Sequence, residues 1–276
     1  MPTDTLSNAR SLLFVPGHRP ERFAKAVASG ADGIVLDLED AVGPDLKDIA
    51  RANVRRWFAE GHSGVVRVNG TDSPWYESDI AALRESPGVV MLPKVTRPEQ
   101  VERLLAELPG SQVMPLLETS AGILGARDIC GAPGILRAVF GNADLARELG
   151  IDPADRAAHV SARSEIVLAS AACGLPAPID GVTVAVTDQR TLAADAEHAV
   201  SLGFTGKLCL HPRQVPTVNA AFSPSADQLR WAREVIVAAE QHNGSVTLLD
   251  GQVVGTPVIE RARRILSKLP AVTPVH

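Results

Sequence analysis

The chain has 276 residues, 45% of them hydrophobic and 21% charged, with a formal net charge of −5 and a pI near 5.8. That balance argues against nucleic acid as the main partner, which would leave a basic footprint. No apolar run approaches the ~18 residues that cross a bilayer, and Met1 to Arg10 lacks the apolar core of a signal peptide, so a soluble, cytoplasmic protein without a membrane partner is expected.

Apolar runs recur along the chain, each followed by an amphipathic stretch. Strands are predicted at Ser11–Val15, Gly33–Leu38, Val65–Val68, Val89–Leu92, Val113–Leu117, Leu136–Phe140, Gly181–Ala185 and Lys207–Leu210. Helices are predicted near 20–29, 47–60, 75–85, 98–107, 120–130, 155–173, 189–202 and 213–221. Eight βα units without a long linker suit a closed (β/α)₈ TIM barrel over residues 1–222. An open doubly wound sheet is the alternative, but Gly17-His-Arg-Pro20 does not make the Gly-rich fingerprint expected after its first strand. Residues 223–276 form a C-terminal extension that packs on the barrel or on a neighbouring subunit. It is read as a helix over 225–241, a hairpin turning at Asp250-Gly251, and a last helix over 257–269. The basic run Arg261-Ala-Arg-Arg264 is the polar face of that helix rather than a membrane patch.

In a barrel of this kind, chemistry sits at the C-terminal ends of the strands. Those ends carry Arg19, Asp37, Glu39, Asp40, Arg67, Asn69, Lys94, Glu118, Asp144 and His211. Glu118 and Asp144 each close an apolar run, and one strand-helix-strand unit fits between them. On neighbouring parallel strands, with axes only ~4.8 Å apart, they can share a hard cation such as Mg²⁺, and such a cation stabilises an enolate. Arg67 has apolar neighbours on both sides, and a guanidinium buried there needs an anion. It either grips a substrate carboxylate or pairs with Asp37 or Glu39. Glu39 and Asp40 either hold waters of the metal or cap the next helix and pair with Lys47 or Arg51. His211 is either a general base or a hydrogen-bonded structural residue. The three cysteines, Cys130, Cys173 and Cys209, form no CxxC pair and read as reduced, buried residues. Cys209 as a nucleophile is the minor reading.

Several segments together resemble the citrate lyase β-subunit-like family of the HpcH/HpaI aldolase and citrate lyase superfamily. They are Leu13-Phe-Val-Pro-Gly-His-Arg-Pro-Glu-Arg-Phe23, Val35-Leu-Asp-Leu-Glu-Asp-Ala-Val42, Val66-Arg-Val-Asn69, Met91-Leu-Pro-Lys94, Leu117-Glu-Thr119, Phe140-Gly-Asn-Ala-Asp-Leu145 and Gly203-Phe-Thr-Gly-Lys-Leu-Cys-Leu-His-Pro212. The resemblance implies a Mg²⁺-dependent carbon–carbon lyase of citryl-, citramalyl- or malyl-CoA, working as a homotrimer or hexamer. It places the metal on Glu118 and Asp144 and the oxo-acid carboxylate on Arg67. It sets Glu39 and Asp40 behind the metal's waters with Lys47 close by, and Arg19, Lys25 and Lys94 toward coenzyme A. One departure concerns the tail. Many relatives carry Gly-x-Met-Val/Ile-Asp-x-Pro there, its Asp serving a neighbouring subunit's site, whereas Gly251-Gln-Val-Val-Gly-Thr-Pro257 has Gly255 at that position. The competing readings are an aldolase of free 2-oxo acids, a non-catalytic acyl-CoA binder, and a subunit of a larger citrate lyase complex.

Overall fold

The strand segments are mostly apolar because each is covered on both sides, by the barrel interior and by the surrounding helices. The computed structural model describes residues 3–86, 88–241, 247–249 and 252–267. The chain divides into two compact units, Met1–Phe222 and Ser223–His276.

In the first unit a short helix, α1 (Thr3–Ser7), precedes eight parallel strands. These are β1 (Ser11–Pro16), β2 (Gly33–Asp37), β3 (Val65–Arg67), β4 (Val89–Leu92), β5 (Gln112–Leu117), β6 (Val139–Phe140), β7 (Ile179–Asp180) and β8 (Gly206–Cys209). They pair in chain order and close by β8 pairing β1, as a (β/α)₈ barrel does. The connecting helices are α2 (Phe23–Val27), α3 (Lys47–Ala59), α4 (Tyr76–Leu83), α5 (Pro98–Glu107), α6 (Ser120–Leu124), α7 (Ala126–Cys130), α8 (Asn142–Leu149), α9 (Val160–Ala172), α10 (Gln189–Leu202) and α11 (Val215–Ala221).

Alternation along the strands sorts the side chains into two cores. Leu12, Val35, Val65, Met114, Leu116 and Ile179 belong to a plug inside the barrel. Leu13, Ile34, Leu36, Val66, Leu117 and Phe140 pack outward with the helices. Val35, Val65 and Leu116 each stand two residues before Asp37, Arg67 and Glu118, so the period of two directs those three charged groups inward above the plug. The opposite parity turns Asp180 and Lys207 outward. There Asp180 is fully buried and meets Lys207 Nζ and Arg163 Nε, both at 2.8 Å.

Three local expectations differ from the structure. The seventh strand was expected at Gly181–Ala185, but the ladder ends at Asp180. Asn142 takes both backbone groups of Val182 with its side chain, accepting from N at 2.8 Å and donating to O at 3.1 Å. The helix expected over 120–130 is interrupted at Gly125, where a Cβ would stand 3.2 Å from the carbonyls of Ala121 and Thr96. The helix α8 was not expected. It ends on Gly150, whose φ of 68° is the left-handed conformation that glycine adopts at little cost.

The second unit contains α12 (Ala226–Gln241), the antiparallel pair β9 (Thr247–Leu249) and β10 (Gln252–Val254), and α13 (Thr256–Leu266). Ala232, Val235, Ala239, Val254, Ile259 and Ala262 form its core, and Arg261 lies 4.9 Å over the Trp231 ring. The turn expected at Asp250-Gly251 lies outside the described residues. Gly255 is the N-cap of α13 at φ −119°, an extended conformation open to any residue. No helix among the described residues is long and apolar enough to cross a membrane.

Candidate functional site

The strand register builds the centre of the site. Asp37 and Arg67 are direct partners across β2 and β3, and the carboxylate and guanidinium meet in two parallel bonds, Nε to Oδ1 and Nη2 to Oδ2, both at 2.7 Å. Asp37 also accepts from the backbone N–H groups of Glu39 and Ala41. Burial alone would raise its pKa, yet Arg67 and these donors hold it below the usual carboxylate range. Of the two open roles for Arg67, the structure displays the ion pair. The guanidinium stacks 4.6 Å over Phe14, and its remaining nitrogen, Nη1, reaches Glu39 Oε2 at 3.1 Å and Asp40 Oδ2 at 3.9 Å.

Glu39 is buried whereas Asp40 is 61% exposed, so only Glu39 belongs to the interior of the cluster. Burial raises the pKa of Glu39 despite Arg67 and Lys94 nearby. Neither carboxylate pairs with Lys47 or Arg51 as the alternative reading expected. Lys47 Nζ donates to the carbonyls of Leu38 and Glu39 and to Asn69 Oδ1, while Arg51 pairs with Asp48 and Asp79. Asn69 in turn donates to Leu38 O and Asp79 Oδ2. This buried net fixes the backbone that presents Glu39.

Glu118 follows β5 and is 4% exposed. Asp144 lies not at a strand end, as expected, but in the first turn of α8, where Oδ1 meets Arg147 at 3.0 Å. Lys94 ties the acidic groups together. Its N–H donates to Glu118 Oε1 at 2.9 Å, and its Nζ stands 2.5 Å from Glu39 Oε1 and 3.4 Å from Asp144 Oδ2. Among the described residues it is the only non-glycine with a left-handed φ, 54°, a conformation that costs on the order of 1–2 kcal/mol. The sequence reading placed Lys94 on the coenzyme side and missed this role. It also missed Gly141 and Asn142, which seat Glu118 and α8.

The residues fit a divalent cation. Burial, helped by the neighbouring charges of Glu39 and Asp144, pushes the Glu118 carboxyl up to about 8, so that a cation binding there would take the place of its proton. Asp144 Oδ2 and Glu39 Oε2 are buried without a hydrogen bond of good geometry, although Lys94 Nζ and Arg67 Nη1 stand 3.4 and 3.1 Å from them as ion-pair partners. A Cβ on Gly141 would stand 2.6 Å from Glu118 Oε2, so glycine keeps that oxygen's surroundings open. Among the described residues no group of three or more His, Cys, Asp or Glu side chains is placed to hold a metal. A cation here would rest on two carboxylates and fill its shell with water or substrate, a habit of Mg²⁺.

This has a pH signature. The folded-state pKa of Glu118 is raised, so ionising it in the metal-free protein opposes folding as pH climbs from the ordinary carboxylate range through about 8. Cations compete with that proton. The rise in Tm on adding Mg²⁺ should therefore be small at pH 6 and grow toward pH 8.5, as thermal melts at fixed ionic strength would record.

Arg19 and Lys25 are exposed, and no hydrogen bond or ion pair among the described residues joins them to this cluster; the Arg19 guanidinium meets Glu21 at 3.8 Å. His211 caps the short 3₁₀ turn Pro212–Gln214, its Nδ1 accepting from Arg213 N at 3.1 Å while Gln214 accepts from its own N–H. That is the structural reading. Accordingly, His211→Asn should keep Tm and activity, and His211→Ala should cost roughly 1 kcal/mol of stability. A loss of ~10²-fold or more in the Asn variant's turnover would instead mark a base. Cys209 is fully buried and its thiol is pushed up to about 12, unsuited to a nucleophile.

The chain is similar to known proteins over most of its length. The sequence model described as HpcH/HpaI aldolase/citrate lyase matches residues 10–212. The chain is 36% identical over 272 residues to a (3S)-malyl-CoA thioesterase of Cereibacter sphaeroides, covering 95% of each chain. It is 36% identical over 263 residues to a citrate lyase subunit beta-like protein of Mycobacterium tuberculosis, covering 93% of this chain and 94% of that one. Among solved structures it is similar to the protein CitE of Mycobacterium tuberculosis in complex with magnesium, acetoacetate and coenzyme A. There the TM-score is 0.84 at 35% identity, over 95% of this chain and 98% of the other.

Proposed function

The chain belongs to the HpcH/HpaI aldolase/citrate lyase family, and from that premise we propose that it is a Mg²⁺-dependent carbon–carbon lyase of 3-hydroxy-3-carboxy acyl-CoA thioesters such as malyl-, citramalyl- or citryl-CoA. The observation that carries the proposal is Glu118 and Asp144 gathered with Glu39 and Lys94 above the barrel plug. Bound between Glu118 and Asp144, the metal would draw electron density from the substrate's hydroxyl and carboxylate oxygens.

The chain's own groups divide the remaining work. Asp37 occupies two nitrogens of Arg67 and fixes the plane of its guanidinium, so the substrate carboxylate would be received by Nη1, in exchange for its contact with Glu39 Oε2. Glu39, with a raised pKa and an Oε2 that would be released from Arg67 Nη1 as the substrate carboxylate binds there, is placed to take the hydroxyl proton. As that proton leaves, the C–O bond becomes a carbonyl and the adjacent C–C bond breaks. Its electron pair passes into the thioester enolate, which then takes up a proton at carbon to become acetyl-CoA. Gly255 cannot deliver that proton, so water or protonated Glu39 supplies it. We further infer that Ser223–His276 packs on its own or a neighbouring barrel in a homotrimer, which light scattering would test.

A second reading is favoured by Gly255 and by the thioesterase named among the relatives. In it, water attacks the thioester carbon and releases free coenzyme A with the intact hydroxy acid. Product analysis by mass spectrometry separates the two. Acetyl-CoA with a 2-oxo acid supports cleavage, whereas coenzyme A with the hydroxy acid supports hydrolysis and overturns the lyase proposal. Because the backbone at Gly255 suits any residue and Asp is a favoured N-cap, Gly255→Asp should fold normally. It should raise acetyl-CoA production on the order of 10²-fold, the lower end of acid/base contributions.

A further inference from the structure

Lys94 is placed where a metal ion would be expected to act. Its ammonium stands 2.5 Å from Glu39 Oε1 and 3.4 Å from Asp144 Oδ2, and its N–H binds Glu118 Oε1. A single residue thus engages three buried or half-buried carboxylates. To do so it holds a left-handed backbone that among the described residues no other non-glycine adopts. Other groups do not offer the same service. Arg147 meets the outer oxygen of Asp144, Arg67 gives two nitrogens to Asp37 and only Nη1 to the far oxygen of Glu39, and Lys47 spends its ammonium on two carbonyls and Asn69. A cavity of about 520 Å³ borders Lys94 and Glu39 and is walled by Asp40, Asp72, Ser73 and Trp75. It offers room, and acidic partners, for the side chain to move into.

We propose that Lys94 is a built-in counter-cation: its ammonium neutralises Glu39 and Asp144 in the metal-free protein, and an incoming divalent cation must displace it into the adjacent cavity. This rests on the reading of Glu118 and Asp144 as metal ligands. Like charges a few ångströms apart in a half-buried site repel by several times the thermal energy, so the cation that binds pays for the removal of the one already there. Lys94 is on this account a positioning residue that lowers the metal affinity while holding Glu39 and Asp144 together when no metal is bound.

The test is calorimetric titration of Mg²⁺ and Mn²⁺ into wild type, Lys94→Met and Lys94→Gly, paired with melts in EDTA and in excess Mg²⁺. The Gly variant removes the ammonium while relaxing the left-handed backbone, so it reports on charge without strain. Both variants should bind the cations tighter, on the order of tenfold to a hundredfold, and both should gain more Tm from Mg²⁺ than wild type gains. Equal or weaker binding in both overturns the proposal, as does an equal Tm loss with and without metal, the mark of a merely structural lysine. Glu118→Gln separates this failure from that of the metal reading. If Glu118→Gln binds Mg²⁺ as wild type does, the metal assignment falls whatever Lys94 does.

Discussion

Glu118→Gln should bind no Mg²⁺ measurably and lose on the order of 10³-fold or more of its turnover, the scale of the charge stabilisation that a metal supplies. The substitution is nearly isosteric. The amide oxygen can still accept from Lys94 N–H, and the contact with Gly141 is preserved. What disappears is a buried negative charge beside Glu39 and Asp144. In EDTA the variant should therefore melt no lower than wild type, and higher above pH 8, because the repulsion that lifts the Glu118 pKa is gone. Loss of activity together with retained or increased stability is a joint signature that simple misfolding cannot produce. Wild-type turnover in this variant would remove the metal assignment.

Arg67→Met should be the most destabilising single change at the site. It strips Asp37, which is fully buried, of its bidentate partner. Breaking a buried pair from one side costs about 3–5 kcal/mol, which in a protein of this size lowers Tm by roughly 10 °C. Asp37 would retain only the backbone donors of Glu39 and Ala41. The double variant Arg67→Met with Asp37→Asn should recover most of that stability, since no unpaired charge remains. It should not recover activity if Nη1 receives the substrate carboxylate. Denaturation curves and kcat/KM for the two variants test both halves; a double variant as unstable as the single would show that packing over Phe14, not charge, sets the cost.

The barrel was legible because its strands are buried on both faces and its helices carry ordinary periodicity, so each apolar run marks a strand without help from distant residues. The positions of Asp37, Arg67 and Glu118 were legible for the same reason, since alternation fixes which side chains enter the barrel. What escaped depends on contacts between segments far apart in sequence. Val182 looks like strand, yet a side chain from residue 142 satisfies its backbone groups, and the β-branched residues around it carry no trace of that. The run ending in Asp144 hid a helix, although Leu145 and Gly150 offered a weak signal of apolar face and C-terminal stop. Lys94 was the most opaque, because no local propensity announces a left-handed lysine in contact with three carboxylates. Arg67 was readable as a buried cation needing an anion, but only the cross-strand register shows that Asp37 is that anion.

These features give the site a consistent electrostatic design. Asp37 is held ionised by Arg67, Glu39 and Glu118 are lifted by burial, and Lys94 pairs with Glu39 and Asp144. The most direct measurement is acetyl-CoA release from citramalyl-CoA by the wild-type protein, first stripped with EDTA and then resupplied with excess Mg²⁺. The account predicts no release without metal and full recovery with it. Equal release in EDTA, or none in either condition from citramalyl-, malyl- and citryl-CoA alike, would contradict it.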